Sequence, residues 1–81
     1  MTDVEIEYCV PCGHLPRAQD VQADILEELG LQIDGVRLKT GDSGVFKVSV
    51  DDEVVYDKAE DGDLDRDALL ETITARTSAT A

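Results

Sequence analysis

At 81 residues the chain is expected to be one domain, near the size at which a single core supplies only about 3–5 kcal/mol of net stability. With two tyrosines, one phenylalanine and no tryptophan, that core has to be built from Val, Ile, Leu and Ala. A formal charge of -12, from 19 acidic against 7 basic residues, repels phosphates and argues against nucleic acid or an anionic membrane as partner.

Residues 3–8, Asp-Val-Glu-Ile-Glu-Tyr, alternate strictly, with Val4, Ile6 and Tyr8 on one face and Asp3, Glu5 and Glu7 on the other. This predicts a strand with one wet face. From Leu15 to Leu29 the residues Ala18, Val21, Ile25 and Leu29 recur at helical spacing, with Pro16 suited to a first turn and Gly30 to a stop. Leu31 to Lys39, carrying Ile33, Val36 and Leu38, reads as a second strand, and residues 40–44 as a loop. Val45 to Val50 and Glu53 to Lys58 flank Asp51-Asp52 in the pattern of a hairpin. Its two-residue turn calls for positive φ, which Asp accepts less readily than Gly or Asn, so the register there is the least determined feature. Residues 59–63 form an acidic connector, and a last helix follows from Leu64 with Leu69, Leu70 and Ile73 facing inward.

The expected fold is therefore α/β, a two-layer sandwich of order β-α-β-β-β-α. A mixed four-stranded sheet carries both helices on one face, because the acidic face of the first strand needs water. Residues 1–76 form the single domain, and residues 77–81 are expected to be a disordered tail.

The acids are spread from Asp3 to Glu71, while lysine occurs only at positions 39, 47 and 58. Such a surface stays hydrated in molar salt, a pattern expected of a protein from the cytosol of a halophile. No apolar run approaches the roughly 18 residues of a membrane span, and the N-terminus has no basic segment followed by an apolar one, so the expected location is cytoplasmic. Thiols there are mostly reduced, which favours a catalytic, redox-sensing or metal-binding use for a close cysteine pair.

That pair lies in Tyr8-Cys9-Val10-Pro11-Cys12-Gly13-His14-Leu15, with Cys9 closing the first strand and Cys12 just before the first helix. A helix N-terminus offers free N–H groups and positive potential, which favour thiolate, the nucleophilic form. Spacing by two residues brings the sulfurs close enough for one to attack a disulfide and the other to resolve the mixed species. In a second reading both cysteines are small buried hydrophobes. In a third, Cys9, Cys12 and His14 bind a metal, although no further Cys or His completes a tetrahedron. The haem pattern C-x-x-C-H fails because Gly13 precedes His14. His14 and Arg17 are either cations that tune the thiols or exposed residues at the helix start without a role, and Tyr8 reads as core.

Strand, Cys9-Val10-Pro11-Cys12, Leu15-Pro16-Arg17-Ala18 and helix, then Gly44-Val45-Phe46-Lys47-Val48 and the run from Val50 to Lys58, together resemble the Rdx family of selenoproteins W, T and H. The resemblance implies a thioredoxin-like fold of the same element order and a redox role linked to glutathione or thioredoxin. It matches Cys12 to the family's selenocysteine and Cys9 to its partner. Sulfur in place of selenium implies a weaker nucleophile, Lys47 stands where relatives often carry Glu, and Asp52 stands where a hairpin Gly is common. Pro11 and Pro16 both precede the second strand, so neither can serve as the cis-proline that clamps substrate in thioredoxins.

The expected function is thus a small thiol-disulfide redox protein with Cys9 and Cys12 cycling between dithiol and disulfide and no cofactor. A non-catalytic, redox-responsive protein-binding module is the alternative. Its partners would be client or reductant protein thiols, or a low-molecular-weight thiol. Family position selects Cys12 as the attacking thiol, whereas the usual exposure of the first thiol selects Cys9. Without selenium, exposure is expected to decide in favour of Cys9.

Overall fold

The computed structural model describes residues 2–62 and 64–79. Strand β1 spans Asp3–Cys9, helix α1 Leu15–Leu29, β2 Gly35–Gly41, β3 Phe46–Val50, β4 Glu53–Asp57, a single helical turn α2 Lys58–Asp61, and helix α3 Arg66–Ala79. The sheet order is β2-β1-β3-β4, with β1 and β2 parallel and the other two pairings antiparallel. This is the mixed four-stranded sheet expected from the alternation and spacing of the chain.

Strand alternation sorts the sheet into two unlike faces. Val4, Ile6 and Tyr8 of β1, Phe46, Val48 and Val50 of β3, and Tyr56 of β4 are buried against Ala18, Val21, Ile25 and Leu29 of α1 and Leu69 and Ile73 of α3. Both long helices cover this face and touch each other. Arg66 at the start of α3 donates to Asp24 of α1 at 2.5 Å, and this bond holds the Asp24 carboxyl below its usual range. The opposite face carries Glu5, which accepts from Arg37 across the β1–β2 pair.

The second strand begins later than its apolar pattern suggests. Gly30 to Gln32 form a 3-10 turn that carries Leu31 fully into solvent, while Ile33 is buried at the rim of the core. The chain has to cross from the end of α1 to the sheet edge before it can pair. Pairing starts only where Gly35 comes opposite Asp3, after Asp34 N–H has donated to Thr2 O at 2.7 Å. β2 then runs two residues past the predicted end and brings Gly41 alongside Cys9.

The hairpin turn has Asp51 at φ 51° and Asp52 at φ 68°, both left-handed. Asp51 is held there because its carboxylate accepts from Asp3 N–H at 2.9 Å and its own N–H donates to Asp3 O at 2.8 Å. Asp52 has no such tie, so Asp52→Gly should stabilise the protein by about 0.5–1 kcal/mol, relieving side-chain strain at positive φ. The expected sign is a higher urea midpoint at unchanged slope, and a lower midpoint would contradict the strain account. Beyond the turn Val50 pairs with Glu53 and Ser49 with Val54, but Val48 pairs with Tyr56, which leaves Val55 as a bulge. The extra residue returns Tyr56 to the core face, where its hydroxyl donates to Gly62 O at 2.5 Å.

The predicted acidic connector is partly helical. Asp57 accepts from Ala59 N–H at 3.0 Å and caps α2, which ends at Gly62 with φ 77°; Asp63 lies outside the described residues. Asp65 accepts from Ala68 N–H at 3.1 Å at the start of α3. That helix runs past the expected end of order at residue 76. Thr77 follows Leu69 and Ile73 on one stripe, is buried, and donates its hydroxyl to Ile73 O at 2.9 Å. Residues 77–79 are therefore helix rather than disordered tail, and residues 80 and 81 lie outside the described residues. No described helix is long and apolar enough to cross a membrane.

Candidate redox site

The two cysteines meet at one end of the sheet because β1 ends there and α1 begins six residues later. The intervening turn is closed by three backbone bonds: Val10 N–H to Gly41 O at 3.1 Å, Gly13 N–H to Val10 O at 3.1 Å, and His14 N–H to Cys9 O at 3.3 Å. Gly13 sits at φ 75°, a conformation that would cost any other residue about 1–2 kcal/mol. Cys9 and Cys12 are joined in a disulfide with their Cα atoms 5.3 Å apart.

Their surroundings differ sharply. Cys9 is fully buried, whereas Cys12 is exposed on the turn with Pro11 and the half-exposed Val10 and Leu15 around it. The exposure expected of the first thiol therefore belongs to the second. Cys9 is the last residue of a paired strand and lies beneath the turn, while Cys12 rides on its outer side. α1 has no acidic residue in its first turn and no side-chain cap, so no carboxylate within that turn offsets the N-terminal potential beside Cys12.

His14 turns inward. Its ring meets Phe46 edge-on at 6.1 Å, and Phe46 in turn meets Tyr56 at 6.3 Å, so this histidine anchors the helix start to the core. Arg17 is exposed and lines a cleft between the starts of α1 and α3 with Asp20, Leu64 and Arg66. The structure thus separates the two suggested thiol-tuning groups, one packed on the core and the other facing the α3 side. Among the described residues no three His, Cys, Asp or Glu side chains converge as metal ligands, so the set Cys9, Cys12 and His14 is not assembled.

Two further residues belong to the site. Gly41 pairs with Cys9, and Glu7, two residues before Cys9, folds its side chain over Gly41. The alternation of β1 already placed Glu7 and Cys9 on one face, but the apposition of Gly41 depends on where β2 ends.

A mixed four-stranded sheet with two helices on one face, and a cysteine pair where the first strand hands over to the first helix, defines a thioredoxin-like α/β protein. The sequence profile of the Rdx family matches residues 3–75, and the chain belongs to that family. Its fold is similar to the crystal structure of a Bordetella parapertussis protein at 25% identity and TM-score 0.85, covering 93% of this chain and 95% of that one. It is also similar to the selenoprotein W-related protein from Vibrio cholerae at 19% identity and TM-score 0.88, covering 94% and 96%. No curated protein sequence shows a significant match. Family membership and the cysteine pair at disulfide distance support a redox role.

Proposed function

We propose that the protein is a small thiol-disulfide redox protein in which Cys12 attacks and Cys9 resolves. The observation that carries this reading is the contrast in burial between the two sulfurs. An attacking thiolate has to reach a partner's disulfide, and only Cys12 is accessible. A resolving thiol has to reach only its neighbour, which the turn already holds at bonding distance. The exposed cysteine, Cys12, is also the one that the resemblance matches to the family's selenocysteine.

In one cycle the Cys12 thiolate attacks a disulfide R–S–S–R′, forming Cys12–S–S–R and releasing R′S⁻. The Cys9 thiolate then attacks Cys12 Sγ, forming the intramolecular disulfide and releasing RS⁻; both leaving thiolates take up protons. A second dithiol or two low-molecular-weight thiols return the pair to its reduced state. The partners are client or reductant protein thiols, or a small thiol, in a cytoplasmic setting. The exposed Val10, Pro11 and Leu15 around Cys12 favour one second reading, a redox-responsive module that docks an apolar segment of a client.

Reduction of a small aliphatic disulfide under an excess of thiol reductant separates the two. The redox reading expects many turnovers per chain, lost in Cys12→Ser. A single stoichiometric reaction without turnover would favour the binding module.

A further inference from the structure

Glu7 and Cys9 lie two residues apart in β1, so their side chains share the sheet face away from the helices. Cys9 is fully buried at the end of β1. Its neighbour across the β1–β2 pair, Gly41, leaves a slot on this face. A Cβ placed there would lie 3.1 Å from Glu7 Oε2, 3.2 Å from Glu7 Cγ and 2.6 Å from Val45 Cγ1. The Glu7 carboxylate therefore leans along the strand toward the end that carries Cys9. Paired strands run about 4.8 Å apart, so the carboxylate over Gly41 is about one strand spacing from Cys9.

The direction of this lean is informative. Glu7 is flanked in register by Lys39 on β2 and Lys47 on β3, yet among the described residues it forms an ion pair with neither. The Lys39 ammonium lies 4.0 Å from Glu5 instead. The remaining charged groups around the turn are Asp42 in the loop after β2, His14 packed on Phe46 at the helix side of the sheet, and Arg17 on α1. Glu5 is one strand step farther away and engaged by Arg37. Of these groups, the Glu7 carboxylate is the one held over Gly41, the strand partner of Cys9.

We infer that Glu7 is a positioning residue: its carboxylate, lying over Gly41 beside buried Cys9, keeps that thiol protonated and sets the pH at which a mixed disulfide on Cys12 resolves. Burial and a like charge both disfavour the Cys9 thiolate. Loss of the Cys9 proton to solvent then limits the step in which the Cys9–Cys12 bond forms, the Cys12–S–R bond breaks, and RS⁻ leaves with the electron pair. This inference rests on the reading that Cys12 attacks and Cys9 resolves.

The test uses the full reduced chain and one equivalent of a neutral dipyridyl disulfide, followed by stopped-flow absorbance. The first thiopyridone is released when Cys12 attacks, and the second when Cys9 resolves. In the wild type the second phase should have its pH midpoint above the value of about 8.5 for a free cysteine. Glu7→Gln should lower that midpoint by about one pH unit, quickening the second release roughly tenfold at neutral pH. Glu5→Gln should leave it within about 0.3 unit, because that carboxylate is more distant and already paired. A structural role for Glu7 would change stability without moving the midpoint. An unshifted or raised midpoint in Glu7→Gln, or an equal shift in both variants, would overturn the inference while leaving the redox cycle intact. Failure of the wild type to release a second thiopyridone at any pH would overturn the resolving step itself, and this inference with it.

Discussion

In single-thiol chains, Cys9→Ser should react with iodoacetamide about two orders of magnitude faster than Cys12→Ser. The size of the contrast follows from what has to open. Cys12 is already in solvent, whereas access to Cys9 requires the turn to lift and break the Val10–Gly41, Gly13–Val10 and His14–Cys9 backbone bonds. At about 1 kcal/mol net for each bond, the opening costs about 3 kcal/mol and exposes Cys9 in roughly one molecule in 150. The same asymmetry should appear with a disulfide substrate. Cys9→Ser should accumulate a stable mixed disulfide, because Cys12 still attacks and nothing resolves it, while Cys12→Ser should accumulate almost none. Comparable alkylation rates, or mixed disulfide on Cys12→Ser alone, would reverse the assignment of roles.

The reversal of the expected exposure, with Cys12 rather than Cys9 in solvent, illustrates where sequence stops being informative. Spacing announces that Cys9 and Cys12 can bond, and the end of the alternating run announces that Cys9 closes a strand. Which sulfur faces water depends on how the Val10–Gly13 turn folds back over β1, and that is set by Gly41, a residue distant in sequence. β1 and α1 were legible because their periods of 2 and 3.6 continue for several repeats. β2 was displaced because Leu31 and Ile33 fit a strand pattern, although the chain between Gly30 and Asp34 is still crossing toward the sheet. The bulge at Val55 left no mark at all: both Val55 and Tyr56 are apolar, and either could have faced inward. Thr77 is opaque for the opposite reason, since a polar residue on a buried stripe looks like the end of the stripe. Glu7 looked like one more acid on a wet face. Its leaning over Gly41 follows from the register of two strands and from the absence of a side chain on one of them.

Phe46→Ala should produce the largest loss of stability of any single truncation in this chain, about 3–5 kcal/mol. Phe46 is 2% exposed, stands opposite Tyr8 in the β1–β3 register, and carries ring edges from both His14 and Tyr56. The chain has no other phenylalanine and no tryptophan, so no aromatic of similar bulk is free to fill the space. A domain of this size holds about 3–5 kcal/mol of core stability in total, and the variant should therefore be largely unfolded at 25 °C by circular dichroism. Val54→Ala, on the half-exposed outer side of β4, should change stability by less than about 0.5 kcal/mol and serves as the comparison. Phe46→Leu keeps an apolar side chain but withdraws the ring against which His14 is packed, and it should remain folded with a lower urea midpoint. Because His14 N–H also closes the redox turn through Cys9 O, loosening that residue makes opening of the turn easier. Placed in the Cys12→Ser background, Phe46→Leu should therefore raise the alkylation rate of Cys9 severalfold, with little change for Cys12 in the Cys9→Ser background. An unchanged Cys9 rate in a measurably destabilised Phe46→Leu chain would show that the core contact and the burial of Cys9 are independent.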